Sequence, residues 1–401
     1  MNPFLPFCSG VFYVYFNTKE EMKIAYVTTR DPEDIHAWSG SVNNIRNALS
    51  LAGLDVVNFG NIKAKKPKLL SYKKRAYNRL FHCKYHDDRH TIVLKSYGDT
   101  IKQKIQNQSI KAVFSHSSIL ISDLKIKQPI IFWTDATFAG MVDFYPSFTG
   151  LCKETIRCGN RQEKMALKNC SLAIYASEWA ANTAIKFYNA NLEKVKVVPF
   201  GANIVCDRTE NDIITLVEKK INFSPLKLLF VGKDWERKGG DKALEVAELL
   251  NSRGVQVEFH IVGCIPERDL PDFAVVHGFI SKKTLEGRAK LDQLFSEAHF
   301  FILPSIAEAY GIVFAEASSF GLPSLASNVG GITTAIRNGF NGFNFSIDDS
   351  AESYCEAINN IISSEEKYKK LALSSFNEYK TRLNWEVSGR TVRNLLTQYC
   401  N

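Results

Sequence analysis

Two carboxylates lie in a mostly apolar stretch, "IAEAYGIVFAEASSFGLPSLAS", which runs from residue 306 to residue 327. Glu308 and Glu316 are eight positions apart, with small residues and one tyrosine around them. A carboxylate that is removed from water needs hydrogen-bond partners or an opposite charge, because its desolvation is costly. The stretch therefore predicts a ligand or a set of side chains that supplies those partners.

The sequence around the two acids predicts a strand followed by a helix. "HFFILPS", 299–305, is typical of a buried strand, so we expect Glu308 at the C-terminal end of that strand. "GIVFAEASSFG" predicts a helix that starts near Gly311 and ends at Gly321 and Pro323. The second acid then lies about one and a half turns inside that helix, where the N-terminal end favours its negative charge.

The first N–H groups of this helix are candidate ligands for oxygen atoms, since they have no partner within the helix. The amides that we expect to point into a cleft and to hold a phosphate or a sugar oxygen are those of Tyr310, Gly311, Ile312 and Val313. Glu316 is placed to accept hydrogen bonds from ribose hydroxyls. A sugar nucleotide carries both kinds of group.

A second candidate site is the basic loop in "LLFVGKDWERKGGDKAL", residues 228–244. A predicted strand ends at Gly232, and the loop that then opens a helix contains Lys233, Arg237, Lys238, Gly239 and Gly240. Glycines permit tight turns, a helix N-terminus offers free N–H groups, and the cations add charge, a combination that suits a diphosphate. The GxxxxGK[ST] spacing of a P-loop is absent, and a solvated loop with incidental basic residues is the alternative.

Short β-branched strands alternate with helical patterns along the chain. Strand patterns begin at residues 23, 55, 111, 129, 172 and 195, and a second series of alternating strands and helices begins with "KLLFVG" after residue 225. Apolar strands that alternate with helices indicate parallel sheets covered on both faces, and 401 residues exceed one ordinary core. We predict an α/β fold with two Rossmann-like parallel-sheet domains that face each other across a cleft. Ligands of such sheets bind beyond the C-terminal ends of the strands.

The stretch with the two acids resembles the signature of retaining glycosyltransferases with the GT-B fold, above all those of family 4. Pro304-Ser305 precede it, Ala309-Tyr310-Gly311-Ile312 replace the usual Gly-Phe-Gly-Leu, and Glu316-Ala317 and Gly321-Leu322-Pro323 follow. "VVPFGANI", the basic loop and "VGGITTAIRNGFNGF" resemble further blocks of the family in the right order. Several ordered blocks make the resemblance more specific than any one motif.

The resemblance implies a role for each matching residue. Glu308 would contact the hydroxyls of the donor sugar and stabilise the reacting centre, and Lys238 would neutralise the departing diphosphate. Glu316 would bind the ribose. Further donor-binding residues would be Lys233, Arg237, Ala309, Tyr310, Gly311, Ile312 and Val313, with Gly278, Phe279 and Ile280 of "HGFI" near the nucleobase. The family needs no metal and the chain has no DxD motif, so we expect no metal and no cofactor beside the donor substrate.

The N-terminal half matches the family less closely. Its first loop reads "HAWSGSVNN", in which Gly40 can let the backbone approach a phosphate, whereas Trp38 and Ser39 depart from the family. "FWTDATFAG" has Asp135 near the place where many members carry a histidine, and we assign it to the catalytic residues as a partner for a hydroxyl; a turn cap is the alternative. His116, in "FSHSS" after another strand, is a donor-binding candidate, with a satisfied loop histidine as the alternative.

The predicted domains follow from the strand patterns and from the resemblance. They are an N-terminal extension (1–21), an acceptor-binding domain (22–200), a linker (201–225), a nucleotide-sugar-binding domain (226–380) and a C-terminal helix (381–401) that packs back at the domain junction. Asn384 is a good N-cap for that last helix, and its apolar stripe consists of Val392, Leu395, Leu396 and Tyr399.

The net charge of +8 is unevenly distributed. Residues 61–80, "NIKAKKPKLLSYKKRAYNRL", carry eight Lys or Arg and no acid. Such a segment suits an anionic membrane surface, and a solvated charged helix or loop is the alternative. Outside it we find no basic stripe interleaved with aromatic residues, so we expect no nucleic-acid partner.

Three further patterns concern location and metal. The apolar run from Leu5 to Phe16 is too short to span a bilayer and lacks the flanks of a signal peptide; a membrane-surface anchor is the alternative. Nine cysteines without a CxxC pair fit a reducing cytosol, so we expect a cytoplasmic protein, peripheral at the inner face of the cell membrane.

His82, His86 and His90 would share one face if they lay on a helix, and they could then bind zinc. The alternative is a polar surface segment without a metal.

These patterns together predict a retaining, metal-independent glycosyltransferase. It would move a hexose-type sugar from a nucleoside diphosphate to a glycan or glycolipid, in cell-surface polysaccharide or lipopolysaccharide assembly. Two alternatives are a GT-B sugar-nucleotide epimerase and an inactive membrane-associated binding module. A dehydrogenase is disfavoured, because "GKDWERKGG" lacks the GxGxxG order.

Overall fold

The structure is a computed structural model that describes residues 22–35 and 37–400. The expectations for the extension at 1–21, and for His36 at the start of the first loop, lie outside these residues. Within the described part, no helix combines the length and the apolar character that crossing a bilayer requires.

The first sheet is formed by the N-terminal half of the chain. Its strands are β1 (Lys23–Val27), β2 (Asp55–Phe59), β3 (Ala112–Ser115), β4 (Ile130–Thr134), β5 (Leu172–Tyr175) and β6 (Val195–Val197). They lie in the order β2-β1-β3-β4-β5-β6, and every pairing between neighbours is parallel. The central strands β3, β4 and β5 are buried along their whole length, as their apolar sequences predict.

The second sheet repeats this architecture. Its strands are β7 (Leu226–Val231), β8 (Val257–Val262), β9 (Ala274–Gly278), β10 (Phe300–Leu303), β11 (Ser324–Ser327) and β12 (Gly342–Phe345). They lie in the order β12-β11-β10-β7-β8-β9, again with parallel pairings. The predicted fold class, two parallel sheets with helices in an α/β arrangement, is confirmed.

Helices connect the strands and cover the sheets. Those of the first half are α1 (Ser41–Leu51), α2 (Lys68–Leu80), α3 (Thr91–Ile105), α4 (Ser118–Ile121), α5 (Phe138–Met141), α6 (Lys153–Asn169) and α7 (Glu178–Tyr188). Those of the second half are α8 (Glu210–Lys219), α9 (Gly240–Ser252), α10 (Leu285–Glu297), α11 (Ile312–Ser318), α12 (Ile332–Ala335), α13 (Ala351–Ile362), α14 (Glu365–Thr381) and α15 (Trp385–Cys400). Two 3-10 turns lie at Ala37–Gly40 and Pro146–Phe148.

The last helix, α15, packs back onto the N-terminal half. Asn384 caps it by accepting a 2.9 Å hydrogen bond from the Val387 N–H. Val392 and Leu396 of the predicted stripe are fully buried, and Arg393 donates to the Ala52 carbonyl at 2.7 Å. The helix therefore ties the end of the chain to the first domain. The domain boundaries stay predictions; the stretch 201–225 contains helix α8, which packs against α14.

The three histidines that would have shared a helical face do not lie on a helix. Helix α2 ends at Leu80 and α3 begins at Thr91, so the segment between them is a loop. His82 has a left-handed φ of 49°, and His90 accepts a hydrogen bond from the Ile92 N–H at the start of α3. Among the described residues, no cluster of three or more His, Cys, Asp or Glu side chains is arranged to hold a metal ion. The zinc hypothesis is therefore wrong in its geometry.

Candidate active site

Strands β7 and β10 are paired neighbours in the second sheet, and a glycine allows the loops that follow them to touch. Gly239 has a φ of +72°, and a Cβ atom built on it would lie 1.9 Å from the Pro304 carbonyl oxygen. The Ile306 N–H donates to the Arg237 carbonyl at 2.9 Å, and the Arg237 guanidinium returns a 2.8 Å hydrogen bond to the Ala307 carbonyl. The basic loop and the acidic loop are therefore joined along their backbones.

This joining brings the predicted catalytic pair together. Glu308 lies in the loop between β10 and α11, and its Oε2 accepts a hydrogen bond from Lys238 Nζ. Arg237 Nη1 lies 3.7 Å from the same oxygen. Both Glu308 and Lys238 are largely buried, with 12% and 13% of their side chains exposed. A carboxylate under two cations in a shielded site has the charge pattern needed to bind polar sugar hydroxyls beside a diphosphate.

The backbone of Glu308 is fixed by a second glycine contact. The Glu308 carbonyl accepts a 3.1 Å hydrogen bond from the Gly331 N–H, and a Cβ atom on Gly330 would lie 2.0 Å from the same carbonyl oxygen. The block "VGGITTAIRNGFNGF" therefore touches the acidic loop directly. Only glycine can approach a backbone oxygen this closely.

The other predicted acid, Glu316, occupies a different environment. It lies in α11 with 3% of its surface exposed, and its Oε1 accepts a 2.5 Å hydrogen bond from Lys282 Nζ. Lys282 follows "HGFI" by two residues and is more exposed than its partner. Gly311 caps α11 in the left-handed conformation, with a φ of +83°. The helix thus begins as predicted, and the roles of the amides from Tyr310 to Val313 stay predictions.

Two residues of the acidic loop contact the N-terminal half through protein atoms. The Ala309 N–H donates to the Tyr145 hydroxyl at 2.7 Å, and the buried Tyr310 hydroxyl donates to the Phe200 carbonyl at 2.8 Å. Tyr145 also lies under the Arg237 guanidinium, 5.6 Å from its ring centroid. A donor role for the Ala309 amide would require this hydrogen bond to open, so that role stays a prediction.

The residues predicted to lie near the nucleobase surround the end of β9. Gly278 ends the strand with a φ of +62° and accepts a 2.7 Å hydrogen bond from the Gly263 N–H. Phe279 is 65% exposed, and Lys233 Nζ lies 5.2 Å from its ring centroid. Ile280 packs on the core beside them. The pair of Lys233 and Phe279 presents a cation and an aromatic face at one edge of the cleft.

Asp135 follows β4, on the opposite side of the cleft from the acidic loop. Burial raises its pKa to about 7, and the negative charge of Glu308 adds to that shift. The charge of Glu308 acts on Asp135, so the two carboxyls lie near each other although they follow strands of different sheets. A group with a pKa near neutrality is suited to accept or release a proton at a hydroxyl.

His116 and Gly40 complete the predicted residues of the N-terminal half. His116 is buried, with 8% exposure, and burial lowers its pKa to about 4, so its ring is neutral. Gly40 has a φ of +90° and is the N-cap of α1; its carbonyl accepts a 3.0 Å hydrogen bond from Asn44. A Cβ atom there would lie 3.0 Å from the Ile35 carbonyl oxygen and 3.2 Å from the Asn203 side chain.

A cavity of about 610 Å³ lies where the linker meets both halves. It is bounded by the linker from Ala202 to Arg208, the start of α1, and the beginnings of α10 and α15. Lys282, the partner of Glu316, reaches into it, whereas Glu308 and Lys238 do not line it. The cavity therefore adjoins Lys282, and it is not the place where Glu308 and Lys238 lie.

Sequence reasoning missed Tyr145, Lys282 and the contacts of Trp38. Tyr145 lies in "VDFYPSF", which carries no motif, and its role depends on the approach of the two halves. Lys282 lies two residues after the block assigned to the nucleobase, but its pairing with Glu316 leaves no local signal in the sequence. Trp38 departs from the family pattern, and its contacts depend on distant residues.

Comparison with known proteins agrees with this arrangement. Residues 215–375 match the family model "Glycosyl transferases group 1". Solved structures superimpose on nearly the whole chain: a glycosyltransferase from Rickettsia africae aligns with a TM-score of 0.63 over 95% of this chain and 99% of that one, at 14% identity. Anabaena HepE in complex with UDP aligns with a TM-score of 0.62 over 94% of this chain and 100% of that one, at 16% identity. The chain has the GT-B fold.

The resemblance predicted from the sequence is thus confirmed at the level of the family model and of the GT-B fold. Among curated proteins, a D-inositol 3-phosphate glycosyltransferase from Nocardia farcinica is 26% identical over 241 residues, which are 56% of this chain and 52% of that protein. The chain therefore spans about half the length of the curated relatives that it matches. In this GT-B chain, the matched family region contains both Glu308 and Lys238.

Proposed function

We propose that this protein is a retaining glycosyltransferase that transfers a hexose-type sugar from a nucleoside diphosphate sugar to a glycan or glycolipid. The observation that carries the proposal is the Glu308 carboxylate, which lies under Lys238 and Arg237 at the cleft between two parallel-sheet domains. In this arrangement the donor sugar would lie at Glu308 and its diphosphate at the two cations. The family match over the same residues supports it.

The reaction needs positive charge where the diphosphate departs. Lys238, Arg237 and Lys233 supply three cations in one loop, and charge that is already in place costs no reorganisation during the reaction. We therefore propose that transfer is metal-independent. The sugar would develop oxocarbenium character beside Glu308 while the acceptor hydroxyl attacks from the same face as the leaving group, which retains the anomeric configuration.

The donor and pathway follow from the named neighbours only as proposals. Anabaena HepE has been solved with UDP and with UDP-glucose, which makes UDP-sugars the first donors to test. A neighbour named WaaG is described as involved in lipopolysaccharide biosynthesis, and this supports a cell-surface glycan as acceptor. The D-inositol 3-phosphate named for the curated relatives is a second acceptor class to include.

The test combines nucleotide binding with turnover. Thermal stability is measured with UDP, GDP, ADP and their sugars, because a ligand that binds the native state raises the melting temperature. The stabilising sugar nucleotide is then incubated with and without acceptor glycans, with EDTA in parallel. Transfer that persists in EDTA with retained configuration is expected. Epimerisation or hydrolysis without transfer would favour the epimerase alternative, and nucleotide binding without any turnover would favour an inactive binding module.

We also propose that helix α2 attaches the protein to an anionic membrane surface. Leu70 is the only residue of α2 that is buried in the described structure, whereas Leu69, Tyr72 and Leu80 are 72%, 62% and 69% exposed. Together with exposed Ala76 they are spaced by three, four and four residues, which places them on one helical face. An apolar stripe that is exposed in the described structure, beside basic residues, matches a helix that lies in the membrane interface.

Basic side chains flank this stripe and set the kind of lipid expected. Lys68, Arg75 and Arg79 are exposed along one border, whereas Lys73 is paired with Glu154 on the protein side. Each free cation near an anionic surface adds about 1 kcal/mol of attraction. The proposed lipid surface is therefore anionic, as at the inner face of a cell membrane.

Vesicle flotation tests the attachment. We expect binding to phosphatidylglycerol-containing vesicles and weak binding to pure phosphatidylcholine. Replacing Leu69 and Leu80 by Ser, or Arg75 and Arg79 by Gln, should reduce flotation. Replacing Lys102 and Lys104 by Gln on the exposed end of α3 removes the same charge elsewhere and should leave it unchanged. Equal flotation of all variants would reject α2 as the attachment site and favour a solvated helix.

A further inference from the structure

The first loop of the N-terminal half holds an aromatic side chain in a costly backbone conformation. Trp38 has φ 51° and ψ 52°, and Ser39 has φ 55° and ψ 26°. Left-handed backbone at non-glycine residues costs about 1 kcal/mol or more for each residue and persists only where surrounding structure enforces it. Here two such residues follow each other, so the backbone that carries the Trp38 indole is held by the surrounding fold.

Asn203 of the linker enforces this conformation. Its Nδ2 donates to the Ser39 carbonyl at 2.5 Å, and its Oδ1 accepts from Asn44 at 2.9 Å and from the Trp385 indole at 2.9 Å. One amide side chain thus joins the first loop, the start of α1 and the start of α15. The loop is held where the two halves of the molecule meet.

The Trp38 ring covers a histidine whose hydrogen-bonding capacity is not fully used. The two rings meet edge-on, with centroids 5.5 Å apart. His116 hydrogen-bonds to the backbone of Val27, but its Nδ1 is buried without a hydrogen-bond partner among the described residues. Burial lowers the pKa of His116 to about 4, so the ring is neutral at neutral pH. A neutral ring has one N–H, which the bond to the Val27 backbone uses, and this leaves Nδ1 as the lone-pair acceptor. A buried acceptor without a donor is costly and marks a place where a ligand hydroxyl or water would bind.

The same aromatic group lies beside the candidate catalytic loop. Trp38 meets Phe200 edge-on at 6.0 Å, and Phe200 meets Tyr310 at 5.6 Å. Tyr310 is two residues from Glu308 and donates to the Phe200 carbonyl. A ligand on the 36% exposed Trp38 ring would therefore lie in the same cleft as the donor site, on the N-terminal side.

We propose that Trp38 and His116 form the subsite for the acceptor, that the acceptor is a neutral pyranose ring stacked on the indole, and that the indole shifts on binding so that one hydroxyl of the sugar donates to His116 Nδ1. This rests on the proposed glycosyltransferase function and reassigns His116 from the donor to the acceptor. The C–H face of a pyranose carries partial positive charge and packs on the negative face of an indole. The exposed indole face and the uncharged imidazole of His116 both suit an uncharged sugar. Arg30 is the cation that acts on His116, so a phosphorylated polyol is the competing ligand to exclude.

The test uses the full chain with whichever of UDP, GDP or ADP stabilises it. Saturation-transfer NMR measures the binding of methyl α-glucopyranoside, methyl α-galactopyranoside, methyl α-mannopyranoside and myo-inositol 1-phosphate. We expect at least one methyl hexoside to bind the wild-type protein. Trp38→Ala should weaken that binding by about tenfold and Trp38→Phe by less, since a smaller ring keeps part of the stacking. His116→Leu should weaken it too, while nucleotide binding stays unchanged in every variant.

Phe187→Ala is the matched control, because Phe187 is an aromatic residue with 57% exposure on α7, away from this loop. Unchanged hexoside affinity in Trp38→Ala would overturn the proposal. So would wild-type protein that binds a nucleotide but no methyl hexoside, or that binds only myo-inositol 1-phosphate. If His116→Leu does not fold, the two Trp38 variants decide the result. Failure of the proposed function has a different signature, namely wild-type protein that binds none of the nucleotides.

Discussion

The two sides of the cleft use opposite electrostatic strategies. On the C-terminal side, Glu308 and Glu316 are each paired with a lysine, and both pairs are shielded from water on the side of the acid. On the N-terminal side, His116 and Asp135 have no ion-pair partner in the described structure. Burial lowers the pKa of His116 and raises the pKa of Asp135, and both shifts favour the uncharged form. We expect the side with the additional cations Arg237 and Lys233 to suit an anionic ligand, and the other side to suit uncharged hydroxyls. This contrast supports a donor with a diphosphate on one side and a sugar acceptor on the other.

The largest effect on the charged side is expected when one member of the pair of Glu308 and Lys238 is removed. Glu308→Gln and Lys238→Met should each lower turnover by about 10³-fold, because a preorganised charge at the reacting centre is lost. Thermal unfolding and nucleotide binding report whether the fold survives. Because the two side chains are in contact, the double variant should lose much less than the product of the two single losses. Wild-type turnover in either single variant would show that the pair is not catalytic.

The contact between the basic and acidic loops can be broken without touching a charge. Gly239→Ala places a Cβ atom 1.9 Å from the Pro304 carbonyl oxygen, so the two loops must separate. A shift of about 1 Å in Lys238 relative to Glu308 should reduce turnover by about 10²-fold. The measurement is steady-state transfer at saturating donor.

Gly254→Ala is the matched control for this substitution. Gly254 also has a left-handed φ, +84°, but a Cβ atom there meets nothing within 4 Å. It carries the backbone cost of about 1–2 kcal/mol without the clash. We expect a small loss of stability and normal turnover. Equal losses of turnover in both variants would mean that backbone strain, not loop contact, explains the effect of Gly239→Ala.

The sequence predicts the charged side better than the neutral side, for physical reasons. Glu308 and Lys238 follow strands whose apolar patterns are clear, and parallel strands place such residues at one edge of a sheet. Several residues that pack beside this pair must also be glycines, because backbone oxygens lie too close to them for a side chain to fit. These glycines leave a recognisable motif in the sequence. Ion pairs such as Lys282 with Glu316 join residues 34 positions apart and leave no local pattern.

The neutral side depends on tertiary contacts that no short motif encodes. Tyr145 acts through the approach of the two halves, and the left-handed conformation of Trp38 is enforced by Asn203, 165 positions further along the chain. The zinc hypothesis for His82, His86 and His90 is wrong for a related reason, since a period of four predicts a shared face only if the segment is helical, and this segment is a loop. Local patterns thus predict strands and their end loops, but not which loops meet.

The neutral side can be tested through pH. Below about 7 Asp135 is largely protonated, since burial and the nearby Glu308 charge raise its pKa to that value. If the carboxylate is needed to accept a hydroxyl proton, kcat/KM should rise about tenfold per pH unit below that pKa and level off above it. Asp135→Asn should abolish this limb and lower the plateau. A limb that persists in Asp135→Asn would assign the titration to another group.

Removing the lysine partner of Glu316 gives the smallest predicted effect, a change in nucleotide affinity. It tests most directly how the charged side differs from the neutral side. If Glu316 binds ribose hydroxyls, a nucleotide must first displace Lys282, which is 2.5 Å away in the described structure. Lys282→Met removes this competitor and leaves a carboxylate without its cation, so the free protein should unfold at a lower temperature. Nucleoside diphosphate should then bind about threefold to fivefold more tightly, since a partly exposed ion pair contributes at most about 1 kcal/mol. Calorimetric titration measures this affinity, and Lys283→Met on the neighbouring exposed residue is the control. Weaker binding in Lys282→Met would mean that the lysine itself contacts the nucleotide, and both acids of the charged side would then act only together with their lysines.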